Sequence, residues 1–457
     1  MDKGQQKKPE HPLTRRRFIY SSAAAGTGLA ISSTPLNSLA SSTKLDDLNI
    51  ALIGFGAQGR MLFEAIRKMP AGVRFKAICD IWPYKRKSAR QQLKWYGFDS
   101  NIYVDYQEML ANEKDLDCVI VATPDFAHAE QSNAAMQAGC HVYCEKTMAN
   151  TIEQARSMIK TQRETGRLLQ IGLQRRSNPR YIYTKSKLID ELAICGKITA
   201  INGQWNRSMS HDIGASPKIS ISKKTLNQFG YENMYEFLNW RWFKRYSGGL
   251  ISDLGAHQID IFNWFLNAKP KSIQASGLSN NPSHEWPDSV TAILQYETPY
   301  SKLQAIYQAH STTNNGGGYF EHFMGTKGSI KISENPRYSE LTPNIMPQPK
   351  KKEGYIEIKH LPFWQNQPGL QATLRELNPP LEYALPTNQN LSSPFEMPHP
   401  NTLYQKHLEN FFNAVRGKTP LHCPAEVAFP TTVIISKVHE AIASKKEMLL
   451  RSSDFKI

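Results

Sequence analysis

The stretch from Leu48 to Ile66 constrains this chain more than any other. Leu48-Asn49-Ile50-Ala51-Leu52-Ile53 is a short run of the buried-strand type, Gly54-Phe55-Gly56-Ala57-Gln58-Gly59 follows it, and Arg60 to Ile66 repeats with helical period. A lone G-x-G-x-x-G means little, but between a strand and a helix it has a physical purpose. Gly54 allows the tight turn, Gly56 lets the backbone approach a pyrophosphate, and Gly59 lets helix and strand pack closely. The helix N-terminus at Ala57 and Gln58 then offers unpaired N–H groups to phosphates.

The strand–helix alternation continues beyond Ile66. Arg74 to Asp80 reads as a second strand, with short apolar runs at Ile102–Val104, Asp117–Ala122, His141–Cys144 and Leu168–Gly172. Helical segments at Ala127–Ala138 and Ile152–Thr165 lie between the later ones. This is the signature of a Rossmann-type doubly wound parallel sheet, whose ligands gather at the carboxyl ends of the strands. Asp80 ends the second strand, where a carboxylate bonds ribose hydroxyls and repels a 2′-phosphate. NAD is therefore expected over NADP, although Lys85 and Arg86 close behind pull the other way. Thr123, Pro124, Glu145 and Lys146 also fall at strand ends.

The region after residue 172 reads differently. Alternating runs at Ala275–Gly277, Ser289–Tyr296, Lys302–Ser311 and Glu321–Met324 predict a mostly antiparallel open sheet, with a hairpin turn at Gly325–Gly328. Together these patterns give an α/β domain followed by an α+β domain. The expected boundaries are a leader and linker at 1–44, a dinucleotide domain at 45–172, and a substrate domain at 173–457. A stretch rich in Pro, Asn and Lys at about 331–400 reads as an irregular insertion.

Several motifs carry chemistry. Ala122-Thr123-Pro124 with His128, and Cys144-Glu145-Lys146-Thr147, stand at two strand ends. Further on, Gly248-Gly249 is followed by Asp253, Gly255, His257 and Asp260. Asp253 and His257 are four apart, hence on one face of a helix, and Asp260 is placed to steady the imidazole. This set resembles the Gfo/Idh/MocA oxidoreductase family, whose G-G-x3-D-x-G-x-H-x2-D motif is matched at every spacing. Gln174-Arg175-Arg176-Ser177-Asn178-Pro179 is similar to the family's passage into its second domain. One departure is Thr147, where the family usually has proline. The resemblance covers roughly residues 46–330 and resumes at about 402–445.

The resemblance implies roles. Gly54, Gly56, Ala57, Gln58, Gly59, Asp80, Thr123, Pro124, His128, Glu145 and Lys146 would hold the dinucleotide. Lys146 would polarise a sugar oxygen, His257 would take the hydroxyl proton, and Asp253 would bind a hydroxyl and tune the charge. Histidine suits this task because its pKa lies near neutrality, and an ammonium stabilises a developing alkoxide. Arg176, Trp205, Asn206 and Tyr235 are the further substrate contacts expected. The aromatic run Tyr231–Phe243 can either stack on sugar rings or pack as core.

Thr14-Arg15-Arg16-Arg17-Phe18-Ile19 resembles a twin-arginine export signal, followed by a mild apolar stretch and Ser38-Leu39-Ala40 as a cleavage point. A periplasmic location is expected, where free dinucleotide is scarce and the cofactor must be kept through turnover. The net charge of +15 fits a basic surface or an anionic glycan. Nucleic-acid motifs are absent, no stretch after the leader is long and apolar enough for a membrane span, and no metal is expected. Cys140 and Cys144 do not form a C-x-x-C metal clip. The expected partners are a sugar or glycoside, an electron acceptor and further copies in a homo-oligomer. Three activities remain open: net oxidation of a sugar hydroxyl, C3 of a glucoside among the candidates; redox-neutral glycoside cleavage resembling glycoside hydrolase family 109; and non-catalytic sugar binding.

Overall fold

The computed structural model describes residues 47–69, 72–207, 212–313, 316–335, 340–343, 361–362 and 401–457. The segment expected to be a twin-arginine leader and most of the expected 331–400 insertion lie outside these residues.

The first sheet holds six parallel strands: β1 (Leu48–Ile53), β2 (Val73–Cys79), β3 (Asn101–Tyr103), β4 (Cys118–Val121), β5 (His141–Cys144) and β6 (Leu169–Ile171), in the order β3-β2-β1-β4-β5-β6. Helices α1 (Ala57–Arg67), α2 (Pro83–Trp95), α3 (Tyr106–Asn112), α4 (Asp125–Gln137) and α5 (Ile152–Thr165) connect them. The strands are apolar on both sides because both faces are covered. Ile50, Leu52, Ile78 and Ile120 join one buried cluster with Leu62, Phe63 and Phe75, while Ala51, Ile53, Val119 and Val121 join another. Capping sets the helix ends: Asp105 accepts from Gln107 N at 2.8 Å to start α3, and Gly166, at φ +65°, stops α5.

The chain leaves this sheet through α6 (Pro179–Tyr183) and enters a second one at β7 (Ile198–Asn206). Short helices α7 (Lys223–Gln228) and α8 (Met234–Leu238) precede α9 (Ala256–Leu266). Strands β8 (Pro270–Leu278), β9 (Ser289–Glu297), β10 (Lys302–His310), β11 (Tyr319–Gly325) and β12 (Gly328–Ile332) come next. Two short strands from the predicted insertion, β13 (Glu340–Pro343) and β14 (Leu361–Pro362), extend one edge. The final elements are α10 (Asn401–Val415), α11 (Ala425–Ser444) and β15 (Met448–Leu449), which closes the other edge.

This second sheet is antiparallel except where β10 runs parallel to β7. Along β10, Leu303, Ala305, Tyr307 and Ala309 are buried while Lys302, Gln304 and Ile306 are exposed, the alternation of a sheet covered on one side only. α9 supplies the cover. Its Phe262 sits so close to β7 that a Cβ at Gly203 would lie 2.5 Å from the ring. The first of the two closing helices does not stay with the second sheet. Leu408, Phe411 and Phe412 of α10 complete the cluster formed by α1 and the first sheet.

No helix among the described residues is long and apolar enough to cross a membrane.

Candidate active site

The turn after β1 is built as a cradle. Gly54 has φ +93°, and a Cβ there would lie 2.5 Å from the Ala122 carbonyl oxygen. A Cβ on Gly59 would lie 1.9 Å from the Gly54 carbonyl oxygen, so helix and turn touch directly. Around Gly56, by contrast, a Cβ would meet nothing within 4 Å, and Ala57 beside it is exposed. No side chain caps α1, which leaves its first N–H groups facing that open space. Asp80 ends β2 half-buried, and its carboxylate accepts from Phe55 N and Trp82 N, each at 2.7 Å. These features fit a dinucleotide with its pyrophosphate at α1 and its ribose at Asp80.

At the next strand ends, Gln58 donates to Glu145 at 2.9 Å, tying the glycine turn to the end of β5. Thr123 donates to Gln131 at 2.7 Å, and Pro124 opens α4. His128 is placed differently from its expected role as a cofactor contact. It is buried, and its ring nitrogens meet the carbonyls of Thr147 and Thr123, each at 2.7 Å. It therefore joins the two cofactor-edge loops from behind. Burial alone would lower its pKa, but Cys144, Asp125 and the Thr147 carbonyl raise it to about 10.

Lys146 reaches from the end of β5 to the second domain. Its Nζ donates to the backbone carbonyl of Asp253 and lies 3.2 Å from Asp253 Oδ1. Thr147, the departure from the family pattern, has its hydroxyl hydrogen-bonded to that of Ser252, the neighbour of Asp253. Asp253 also meets Arg207 Nη1 at 3.3 Å and Arg241 Nε at 3.4 Å. Burial pushes its carboxyl up, but Lys146, Arg241 and Arg207 together hold it well below the usual carboxylate range.

Asp253 and His257 do not share a regular α-helix. Ile251–Gly255 is a π-helical turn, and His257 belongs to the first turn of α9. The imidazole is buried, its Nδ1 has no hydrogen-bond partner among the described residues, and Trp205 leans over it at 5.7 Å. Burial, with Lys146 and Arg175 nearby, holds His257 well below its ordinary pKa, against the opposing pull of Asp253. These surroundings favour the uncharged imidazole.

The partners observed correct one expectation and show where two further expected residues are engaged. Asp260 does not steady His257; Arg176 takes its carboxylate in a fork at 2.8 Å from both Nε and Nη2. That pairing ties Arg176 to α9 and leaves it 11% exposed. Tyr235, third, donates to Asp212 at 2.6 Å. Trp205 is packed between His257 and Tyr319, the latter stacked at 4.6 Å. Asn206 donates to the Gly316 carbonyl at 2.7 Å, with its Oδ1 buried and unpartnered among the described residues.

Sequence reasoning missed the convergence of Arg207 and Arg241 on Asp253; only the strand-end position of Arg207 hinted at it. It also passed over Arg175, fully buried against Glu321 and Glu334 with Trp205 5.3 Å above its guanidinium.

A Rossmann domain whose strand-end lysine meets a carboxylate from an antiparallel-sheet domain defines the class: a two-domain, dinucleotide-binding oxidoreductase architecture. Residues 48–173 match the family described as "Oxidoreductase family, NAD-binding Rossmann fold", and residues 187–331 match the "GFO/IDH/MocA C-terminal domain". Together they cover more than half of the chain, which belongs to the Gfo/Idh/MocA family. Among its relatives, inositol 2-dehydrogenase of Salmonella paratyphi B is 25% identical over 228 residues, 50% of this chain and 57% of that protein. The match thus spans little more than half of that relative. The 2,7-anhydro-N-acetylneuraminate hydratase of Escherichia coli is 27% identical over 292 residues, 62% of this chain and 67% of that one. Among solved structures, levoglucosan dehydrogenase in complex with NADH has a TM-score of 0.66 at 19% identity, covering 89% of this chain and 100% of that one. That likeness concerns the fold.

Proposed function

We propose that this protein is an exported, NAD-dependent oxidoreductase that oxidises a hydroxyl of a sugar or glycoside, C3 of a glucoside among the candidates, and keeps its dinucleotide through turnover. The observation that carries the reading is the meeting of Lys146 with Asp253 beside a buried His257 whose Nδ1 has no hydrogen-bond partner among the described residues and whose pKa is held low. NAD, when bound, supplies the hydride acceptor. The residues of the chain do the rest. His257 accepts the hydroxyl proton, which needs a neutral imidazole. The Lys146 ammonium stabilises negative charge growing on the same oxygen. Asp253 holds that ammonium in place. Relatives named as dehydrogenases of inositol and levoglucosan support a polyol or sugar as substrate.

Retention of the dinucleotide is supported by residues 217–246. Trp82, two positions beyond Asp80, donates from Nε1 to the Ile219 carbonyl at 2.5 Å and packs edge-on against Phe237 at 5.5 Å. Phe126, just past Pro124, packs against Tyr231 at 5.4 Å and Tyr246 at 5.3 Å. The aromatic run thus acts mainly as core, clamping second-domain segments beside two cofactor-edge strand ends. Export follows from the twin-arginine pattern.

The test is direct. The purified protein is denatured and the released nucleotide identified, and candidate glycosides are incubated with the native protein and an artificial electron acceptor. Near-stoichiometric NAD and a keto-sugar product are expected. Neither appearing overturns the reading, and cleavage of an aryl glycoside without acceptor would replace net oxidation by the redox-neutral reaction.

A further inference from the structure

The positive charge around Asp253 exceeds what hydroxyl oxidation uses. Lys146, Arg207 and Arg241 all lie within 3.4 Å of its one carboxylate. Alkoxide stabilisation accounts for Lys146 but for neither arginine. They come from separate elements, the end of β7 and the turn after Trp240, and keep 35% and 45% of their side chains exposed. A guanidinium has five N–H donors, and one shared carboxylate cannot satisfy two of them. Arg207 Nε is indeed buried without a partner among the described residues.

Nearby acids do not cancel the surplus. Asp125 accepts from Gly248 N and the Ser252 hydroxyl, and Glu145 from the Gln58 amide. Neither forms an ion pair with Arg207 or Arg241 among the described residues, and burial pushes both carboxyls up. Asp212 is held by Tyr235 and His284. A bound dinucleotide would not call for the arginines either, since the uncapped N–H groups at the start of α1 would meet its phosphates.

We propose that the sugar taken by this site carries a carboxylate, as a uronic acid or its glycoside does, and that Arg207 and Arg241 bind it. This rests on the oxidoreductase reading and names its substrate class. Two half-exposed guanidinium forks beside a buried base suit a planar anion, which each can take in a bidentate pair. The uncompensated charge also draws an anionic substrate inward before contact. Asp253 then holds the arginines' inner faces while their outer N–H groups meet the ligand.

The experiment uses the full protein with its bound dinucleotide. Methyl glucoside and methyl glucuronide, and methyl galactoside and methyl galacturonide, are compared as matched pairs with an artificial electron acceptor. The uronide should be favoured in kcat/KM by about 10- to 100-fold, the worth of charged hydrogen bonds. Most of the difference should lie in KM and shrink with added salt. Arg207→Gln and Arg241→Gln should each cut the preference, and Arg→Lys at either position should restore part of it. Neutral members used as well as the acids, or a preference that neither variant moves, overturns this inference while leaving the oxidoreductase reading standing. If no glycoside turns over, melting in the presence of the same sugars decides. Uronides must raise the wild-type midpoint more than neutral partners do, and must lose that advantage in the Arg207→Gln/Arg241→Gln double variant. Equal shifts in both proteins overturn it.

Discussion

Asp253→Asn tests the charge arrangement most sharply, because among the described residues Lys146 has this one carboxylate for an ion-pair partner. At 3.2 Å the gross attraction is about 5 kcal/mol for an effective dielectric of about 20. The two side chains are only 15% and 17% exposed, so removing one partner strands the other where water reaches it poorly. One-sided breakage of buried pairs costs about 3–5 kcal/mol. Arg207 and Arg241 are about a third or more exposed, and their share is discounted to about 0–1 kcal/mol each. The asparagine oxygen still accepts from Lys146, which favours the lower end: a loss of about 3 kcal/mol at pH 7. The sign with pH is set by the depressed carboxyl. Its contribution is full above the unfolded value of about 3.9 and fades as pH falls below it. Urea unfolding of both proteins at pH 7 and again near pH 3 measures this. A variant as stable as wild type at pH 7, or a gap of unchanged size at low pH, refutes the reasoning.

The remaining predictions concern the base and the clasp. Because His257 is held well below its ordinary pKa, oxidative kcat/KM should stay flat from pH 7.5 to 5.5, over which an ordinary histidine of pKa about 6.5 would cost about tenfold. His257→Asn should lose a factor of about 100 to 10,000 while keeping bound NAD, and a variant of full rate would place the base elsewhere. Trp82→Phe keeps an aromatic ring but removes the bond to Ile219, so the bound dinucleotide should exchange about 2- to 10-fold faster in a labelled-NAD chase. An unchanged exchange rate would show that the clasp does not govern retention.

Much of this architecture was legible because local pattern and tertiary environment agree. The first six strands are uniformly apolar since both sheet faces are covered, and the second sheet alternates since one face is wet. The glycine turn was legible because strand, turn and helix are contiguous. Lys146 with Asp253 was visible only through family resemblance, since nothing local links residues so distant in sequence. Pairings that depend on packing escaped. Asp260 points to Arg176 because α9 is entered through a π-helical turn and carries its inner face against the segment after β6. Tyr235 donates to Asp212, a pairing that no local pattern shows. The two arginines on Asp253 come together only once the second domain has folded.

The docking of α10 has a consequence for how the protein is made. Leu408, Phe411 and Phe412 finish a core whose other members emerge from the ribosome more than two hundred and fifty residues earlier. Domains ordinarily fold as units in order of synthesis. Here the flank of α1 stays bare until α10 has been made. A nascent chain cut short anywhere before α10 would expose that apolar surface and lack the support behind its glycine turn.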